Sequence, residues 1–523
     1  MDGPRSIFFD SLSHSGILIA FVALAALGSI FIYKSVGNGV RSKKYHYPPG
    51  PRGWPIVGNA FQIDSSAPGL TFKDLGEKHG EIFSIFMGRS RWVVLNSSEL
   101  VKELLDRRGR LYISRPPFPV TQDILSGGNR IVLMEHGERW RSLRKVMHQL
   151  LMAKHADEFK PYQDIESRKL LWDYCTAPEK FYVHGARFSN SVIFSVVFGR
   201  RTSMQESSVQ ELFSTIDDFI ATQLSPSASL IDSFPTLARL LPKPLQWYRP
   251  HAERVFRKTV RVYEAFFDDL EKRVATGLDP RCFAREMNKI ADKYGFDRYQ
   301  RYYCAGTIIE AGSDTTRNQI NIMIAAAAKF PGWVKKAQDE IDSVCGYAER
   351  LPTFEDWERL PYVKAVIKES LRWRPNMTAA GTPRVLIQDD AIGPYRFEKG
   401  TIFTYNHFGL SHNESLYQDN TVFRPERYLD DEVDEMLKGH LGFGLGRRVC
   451  PGWHVGSRNM FIAFARLLCC FKFDEDPNAP IDDRHIDPMA HESAPFRIRI
   501  SPRSSKHGEL INRDCKEAGL AVE

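Results

Sequence analysis

The chain has 523 residues, 43% of them apolar, with 71 Lys and Arg against 64 Asp and Glu for a formal charge of +7. Such a chain can build a substantial core, and a mild, dispersed positive charge without a long block of one sign gives no support to a nucleic-acid-binding role. Eight cysteines at irregular spacing, with no C-x-x-C pair, support neither a zinc ribbon nor a disulfide framework.

In chain order, the first element is an uncharged apolar stretch at 16–33, close to the roughly 20 residues that cross a bilayer as a helix. Lys34, Arg41, Lys43 and Lys44 follow it, whereas Arg5 precedes it beside Asp2 and Asp10. The positive-inside bias then predicts a lumenal N-terminus over 1–15, a transmembrane anchor over 16–34 and a cytosolic remainder. A cleaved signal would carry its charges ahead of the apolar run. Residues 35–60 form a basic, Pro-rich hinge, where prolines fix φ and remove donors. The main domain is expected over 61–502. Short β-like runs lie at 82–87, 91–95, 392–397, 401–405 and 496–500, with long helical patterns between them. Residues 302–329 read as one buried helix ended by Pro331. The polar residues 503–523 read as a loose tail.

The centre of that helix, Ala311-Gly312-Ser313-Asp314-Thr315-Thr316, is anomalous. Glycine in a helix interior costs about 1 kcal/mol against alanine. Gly306 and Gly312 therefore need a reason, and a flat ligand lying against Gly312 supplies one. Thr315 is then placed to donate a hydrogen bond to dioxygen, and Asp314 to feed protons inward. By itself, this motif is more often a Ser/Thr cluster that bends a helix. Glu369 and Arg372 are one turn apart and can pair; Trp140 and Arg144 share a face at i, i+4.

The run Phe443-Gly-Leu-Gly446-Arg-Arg448-Val-Cys450-Pro-Gly452 carries the most. A lone cysteine before Pro-Gly is usually a small buried hydrophobe. Here Gly446 and Gly452 permit a tight turn whose amides can stabilise a thiolate, Arg448 offers a fork to a haem propionate, and Phe443 can shield the sulfur. Cys450 then reads as the thiolate ligand of a haem iron.

With these motifs in this order, the chain resembles the cytochrome P450 family, and its cysteine loop matches the family pattern without a departure. The resemblance implies a mainly α (α+β) fold with small β-sheets. It implies heme b between the 302–329 helix and Cys450, with Trp140, Arg144 and, on a looser match, Arg384 at the propionates. Glu369, Arg372 and Arg427 would form a structural triad behind the cysteine loop. It further implies a monooxygenase that draws electrons from NADPH through NADPH-cytochrome P450 reductase, with cytochrome b5 as a possible second donor. The anchor and hinge resemble microsomal members, which implies the endoplasmic reticulum membrane and contact with its lipid. The style of hinge and loop resembles fungal members that oxidise secondary-metabolite intermediates. Pocket walls are expected at 112–130, 212–223, 302–316 and 376–382, for a bulky apolar substrate. Arg139, Arg141, Lys145 and Arg447 form a candidate basic patch for an acidic reductase. Two other readings stand: a haem-thiolate isomerase or dehydratase that uses no dioxygen, and a non-catalytic haem or lipid sensor.

Overall fold

The computed structural model describes residues 44–64, 68–88, 90–278, 280–376, 381–483, 486 and 494–520. The stretch read as a transmembrane anchor lies outside them. Among the described residues no helix is long and apolar enough to cross a membrane.

The helices that build the core and the site are α1 (Glu138–Leu151), α2 (Lys160–Thr176), α3 (Phe181–Phe198), α4 (Ser207–Leu224), α5 (Arg249–Ala275), α6 (Arg298–Lys329), α7 (Pro331–Cys345), α8 (Pro361–Trp373), α9 (Trp453–Cys470) and α10 (Ser505–Glu517). The helix expected at 302–329 is α6, and it starts four residues earlier because Asp297 caps it. The Asp297 carboxylate accepts from Gln300 N at 2.8 Å, and the Gln300 side chain accepts from Asp297 N at 3.1 Å. Its end is set by Phe330, forced out of helical geometry ahead of Pro331, which opens α7.

α6 packs along α3, a helix buried on nearly every side. This contact explains the two glycines differently from the expectation. A Cβ on Gly312 would stand 2.6 Å from Ile193 Cδ1 of α3, and one on Gly306 would stand 2.3 Å from Tyr263 Cζ of α5. Both glycines let neighbouring helices approach. Gly312 therefore does not serve as the floor for a flat ligand.

The sheets sit at the edge of this helical body. One has the order β1 (Ile82–Met87), β2 (Ser90–Leu95), β6 (Ile402–Tyr405), β3 (Arg384–Val385), with β2 and β6 parallel. The run expected at 392–397 is broken into a hairpin, β4 (Asp390–Ile392) and β5 (Tyr395–Phe397). Gly393 adopts φ +52° and Pro394 lacks a donor, so the pair makes a turn. β7 (Phe471–Glu475) pairs with β8 (Ile498–Pro502). The Pro-rich hinge is docked from His46 onward: His46 exchanges backbone hydrogen bonds with Arg396, and Ser84 N donates to Pro49 O.

The expected loose tail is instead α10. His507, Leu510, Ile511 and Cys515 recur at helical spacing and are buried, and Asp514 pairs with Arg168 of α2 at 3.3 Å. A composition average hid this face because the other positions are charged.

Candidate active site

α6 is buried along most of its length, yet Ala311 and Thr315 are exposed and Thr307 is partly so. These positions fall at i, i+4 and i+8, one stripe facing an open space. Thr315 Oγ1 donates to Ala311 O at 2.7 Å, which fixes the hydroxyl rotor over that space. Asn376 braces the helix from behind. Its Nδ2 donates to Thr315 O at 3.3 Å, and its Oδ1 accepts from Asn318 at 2.6 Å and Gln319 at 3.1 Å. Asp314, beside Thr315, is paired with Arg317 at 3.2 Å; Arg317 is 3% exposed and Asp314 21%. The carboxylate thus bridges a buried cation and the accessible side of the helix.

The loop before α9 supplies a second wall. Almost every residue from 441 to 454 is half-buried, whereas the helix that follows is buried. Gly444 and Gly446 adopt φ +68° and +57°. Gly446 meets a second constraint, since a Cβ there would lie 2.4 Å from Leu105 O. Cys450 N donates to Phe443 O at 2.8 Å, closing the turn. Burial pushes the Cys450 thiol up, while the Gly452 amide and the Arg144 charge pull it down. The sulfur also stands just before the first turn of α9, where the helix dipole favours an anion. A fully ionised sulfur here still calls for a cation, which a metal supplies. The Phe443 ring lies over Gly456, where a Cβ would be 3.6 Å from Cε1. His440 and His454 are packing residues: His440 is buried and accepts from Gly442 N at 3.0 Å, and His454 stacks on Trp453.

Between these walls, four guanidiniums are spent on backbone carbonyls. Arg448 donates to Ile113 O at 2.8 Å and Met134 O at 2.9 Å, and lies over the Trp140 ring at 4.1 Å. Arg384 donates to Leu105 O at 2.8 Å and Leu445 O at 2.7 Å. Arg144 donates to Val449 O. The fourth, Arg115, donates to Val132 O at 2.8 Å, Thr382 O at 2.9 Å and Pro383 O at 2.6 Å. None of the four has an ion pair among the described residues. Burial and the charges of Arg115 and Arg384 push Arg448 down to about 8; burial and Arg384 push Arg115 down to about 9. Such a cluster wants anions.

A comparison with known families gives a match to the cytochrome P450 model over residues 48–496. Curated relatives include the cytochrome P450 monooxygenase fogE of Aspergillus ruber, 32% identical over 96% of this chain and 94% of that protein. The cytochrome P450 monooxygenase virE of Hypocrea virens is 32% identical over 94% and 92%, and yanC of Aspergillus niger 32% over 97% and 98%. The chain belongs to the cytochrome P450 family.

A cytochrome P450 is a haem-thiolate monooxygenase, and this site fits haem. The arginine cluster has no ion-paired carboxylate of the kind two propionates would bring, the half-buried sulfur faces only the Arg144 charge, and an accessible hydroxyl stripe on α6 forms the remaining wall. The Trp140 indole N–H has no hydrogen-bond partner among the described residues, although Trp140 is buried. Arg115 was not legible as a site residue: it precedes Pro116-Pro117 in a loop, and only long-range contacts join it to Arg384 and Arg448. The expected triad is assembled. Arg372 grips Glu369 with two 2.7 Å hydrogen bonds, both side chains fully buried. Glu369 also accepts from Arg424 N at 2.9 Å and Arg427 Nε at 3.4 Å. Arg372 in turn holds Ser411 O and Asn420 O, so helix α8 organises the segment that leads into the cysteine loop.

Proposed function

We propose that Cys450 would be the thiolate ligand of a bound heme b and that Arg115, Arg144, Arg384 and Arg448, with Trp140, would hold its propionates. The observation that carries this reading is the cluster of four arginines, buried at Arg115 and Arg384 and half-buried at Arg144 and Arg448, with no carboxylate in an ion pair with any of them among the described residues, beside a half-buried sulfur at a helix N-terminus. When bound, haem supplies activation of dioxygen for insertion into a carbon–hydrogen bond. The protein's own part is to position and to move protons. Thr315 presents its hydroxyl on the accessible stripe of α6. Asp314, tied to Arg317, is placed to pass protons from the accessible side toward that hydroxyl. Gly446 shapes the turn before the sulfur, Gly452, whose φ is an ordinary −95°, lends it an amide, and Phe443 keeps water from it. Gly312 has no part in this set.

Electrons come from NADPH through a flavoprotein reductase. Arg141, Lys145 and Arg447 are exposed and suit an acidic partner, whereas Arg139 is engaged by Asn129 and Asp297. Residues 16–34 anchor the protein in the endoplasmic reticulum membrane. Two exposed apolar segments support a membrane-facing corner: Trp54, Ile56 and Phe61 in one, Leu240, Leu245 and Trp247 in the other. Both adjoin the β1–β2 turn, where Gly88 N donates to Val57 O at 3.1 Å and the Phe234 ring packs on Gly88. The substrate is an apolar secondary-metabolite intermediate.

Substitution Cys450→Ser tests the ligand assignment. The ferrous carbonyl complex of the variant is expected to lack the red-shifted thiolate band. A normal band in Cys450→Ser would overturn the assignment.

A further inference from the structure

Beside the accessible stripe of α6 lies a buried polar knot that the reaction does not require. Glu310 precedes Ala311. One of its carboxylate oxygens accepts from Arg130 and the other from the Tyr263 hydroxyl at 2.5 Å. Arg130 comes from the loop at 112–130, and its guanidinium lies 3.7 Å from the ring centroid of Phe219 on α4. Its Nε donates to Ser126 Oγ at 3.3 Å, and its Nη2 is buried with no hydrogen-bond partner among the described residues. Tyr263, from α5, reaches Glu310 only because Gly306 lets its ring lie against α6. Three of the expected pocket walls, together with α5, therefore meet at one ion pair. A buried ion pair is weak evidence for stability, since apolar residues of similar volume do as well or better.

We propose that Glu310, held by Arg130 and Tyr263, is a substrate-recognition group that receives a neutral hydroxyl, alcoholic or phenolic, of an otherwise apolar substrate. A carboxylate offers about four lone-pair directions, of which two are used here. The Glu310 side chain is 12% exposed, and the adjoining Ala311 opens onto the cavity. Arg130 has one donor without an acceptor. A hydroxyl satisfies both needs, donating to Glu310 and accepting from Arg130 Nη2 once the Phe219 ring moves aside. An ammonium would meet the Arg130 charge, and a carboxylate would bring a second negative charge beside Glu310. Neither suits a buried apolar wall. Glu310 and Thr315 are five positions apart, about 7.5 Å along the helix axis and about 140° around it, so the recognised hydroxyl is held well away from the Thr315 side chain.

The inference rests on the Ala311–Thr315 stripe being the oxygen side of the haem. The test is a spin-state titration of the full-length holoenzyme with 2-naphthol and 2-methoxynaphthalene, which share a ring system and differ in the hydroxyl donor. The wild-type protein is expected to bind the naphthol at least about tenfold more tightly, the worth of one hydrogen bond to a charged group. In the double variant Arg130→Met, Glu310→Leu the ratio falls to near one while the ferrous carbonyl band is retained. Should the double variant not take up haem, Glu310→Gln keeps the shape, and its ratio is expected to fall severalfold. A wild-type ratio near one overturns the inference, as does a ratio unchanged in the variants. A wild-type protein without the carbonyl band removes the haem reading and this inference with it; a normal band with a ratio near one removes this inference alone.

Discussion

Replacing Arg115 by Met separates a haem-binding role from a structural one, because the two predict different responses of the haem-free and haem-bound protein. Burial, and then the charge of Arg384, push Arg115 down to about 9, well below the ordinary arginine value. A displacement of that size corresponds to roughly 5 kcal/mol of unfavourable charge, an upper bound. Its three hydrogen bonds to Val132, Thr382 and Pro383 oppose this by about 1–1.5 kcal/mol each. The sums nearly cancel, so Arg115→Met is expected to change the stability of the haem-free protein by less than about 2 kcal/mol. The folded-state value lies below the unfolded one, so the charge penalty is present in full below about 9 and is relieved as pH rises from there toward the ordinary arginine value. At neutral pH the wild-type protein carries all of it until an anion binds. The variant loses a charge-assisted bond to that anion, about 1.5–3 kcal/mol, or roughly 10–100-fold in haem retention. Urea unfolding of the haem-free protein measures the first effect, and the rate of haem transfer to apomyoglobin measures the second. A variant that loses more than about 3 kcal/mol without haem, yet releases haem at the wild-type rate, would show that Arg115 is only a loop tie.

Glu369→Gln leaves the fully buried Arg372 charge unpaired and should cost about 3–5 kcal/mol, read as a lower urea midpoint; an unchanged midpoint would contradict the pairing. His412 is held neutral, pushed down to about 3 by burial and by Arg374, whose Nη1 donates to its Nε2 at 2.8 Å. Its contribution is complete above about 6.5 and is lost as pH falls toward 3, at up to about 1.4 kcal/mol per pH unit. Relative to wild type, His412→Gln should flatten the acid limb of a stability–pH profile, and parallel limbs would refute this. Deleting residues 505–523 removes the buried Leu510 and Ile511, worth about 3–6 kcal/mol together; a truncated protein with the full-length unfolding midpoint would mean that α10 is dispensable.

What the sequence determined by itself was the local chemistry. The residues around Cys450, the Glu369–Arg372 turn, and the Ala311–Thr315 stretch declare themselves because each function is built within one turn or one loop, at spacings a chain of letters preserves. The long helix was legible for the same reason, having a run of apolar residues and a terminating proline, although its Asp297 cap was not read from the sequence. Only the tertiary structure decided the rest. It turned Gly312 from a ligand floor into a helix-crossing point, gave Gly306 the same role, folded a polar tail into α10, and drew Arg115 from a proline-rich loop into the cluster with Arg384 and Arg448. It joined Arg130, Tyr263 and Glu310 across three separate elements. Those outcomes depend on which surfaces meet after the chain has closed on itself. Burial and the charge of distant neighbours, unlike spacing, have no value until the packing exists.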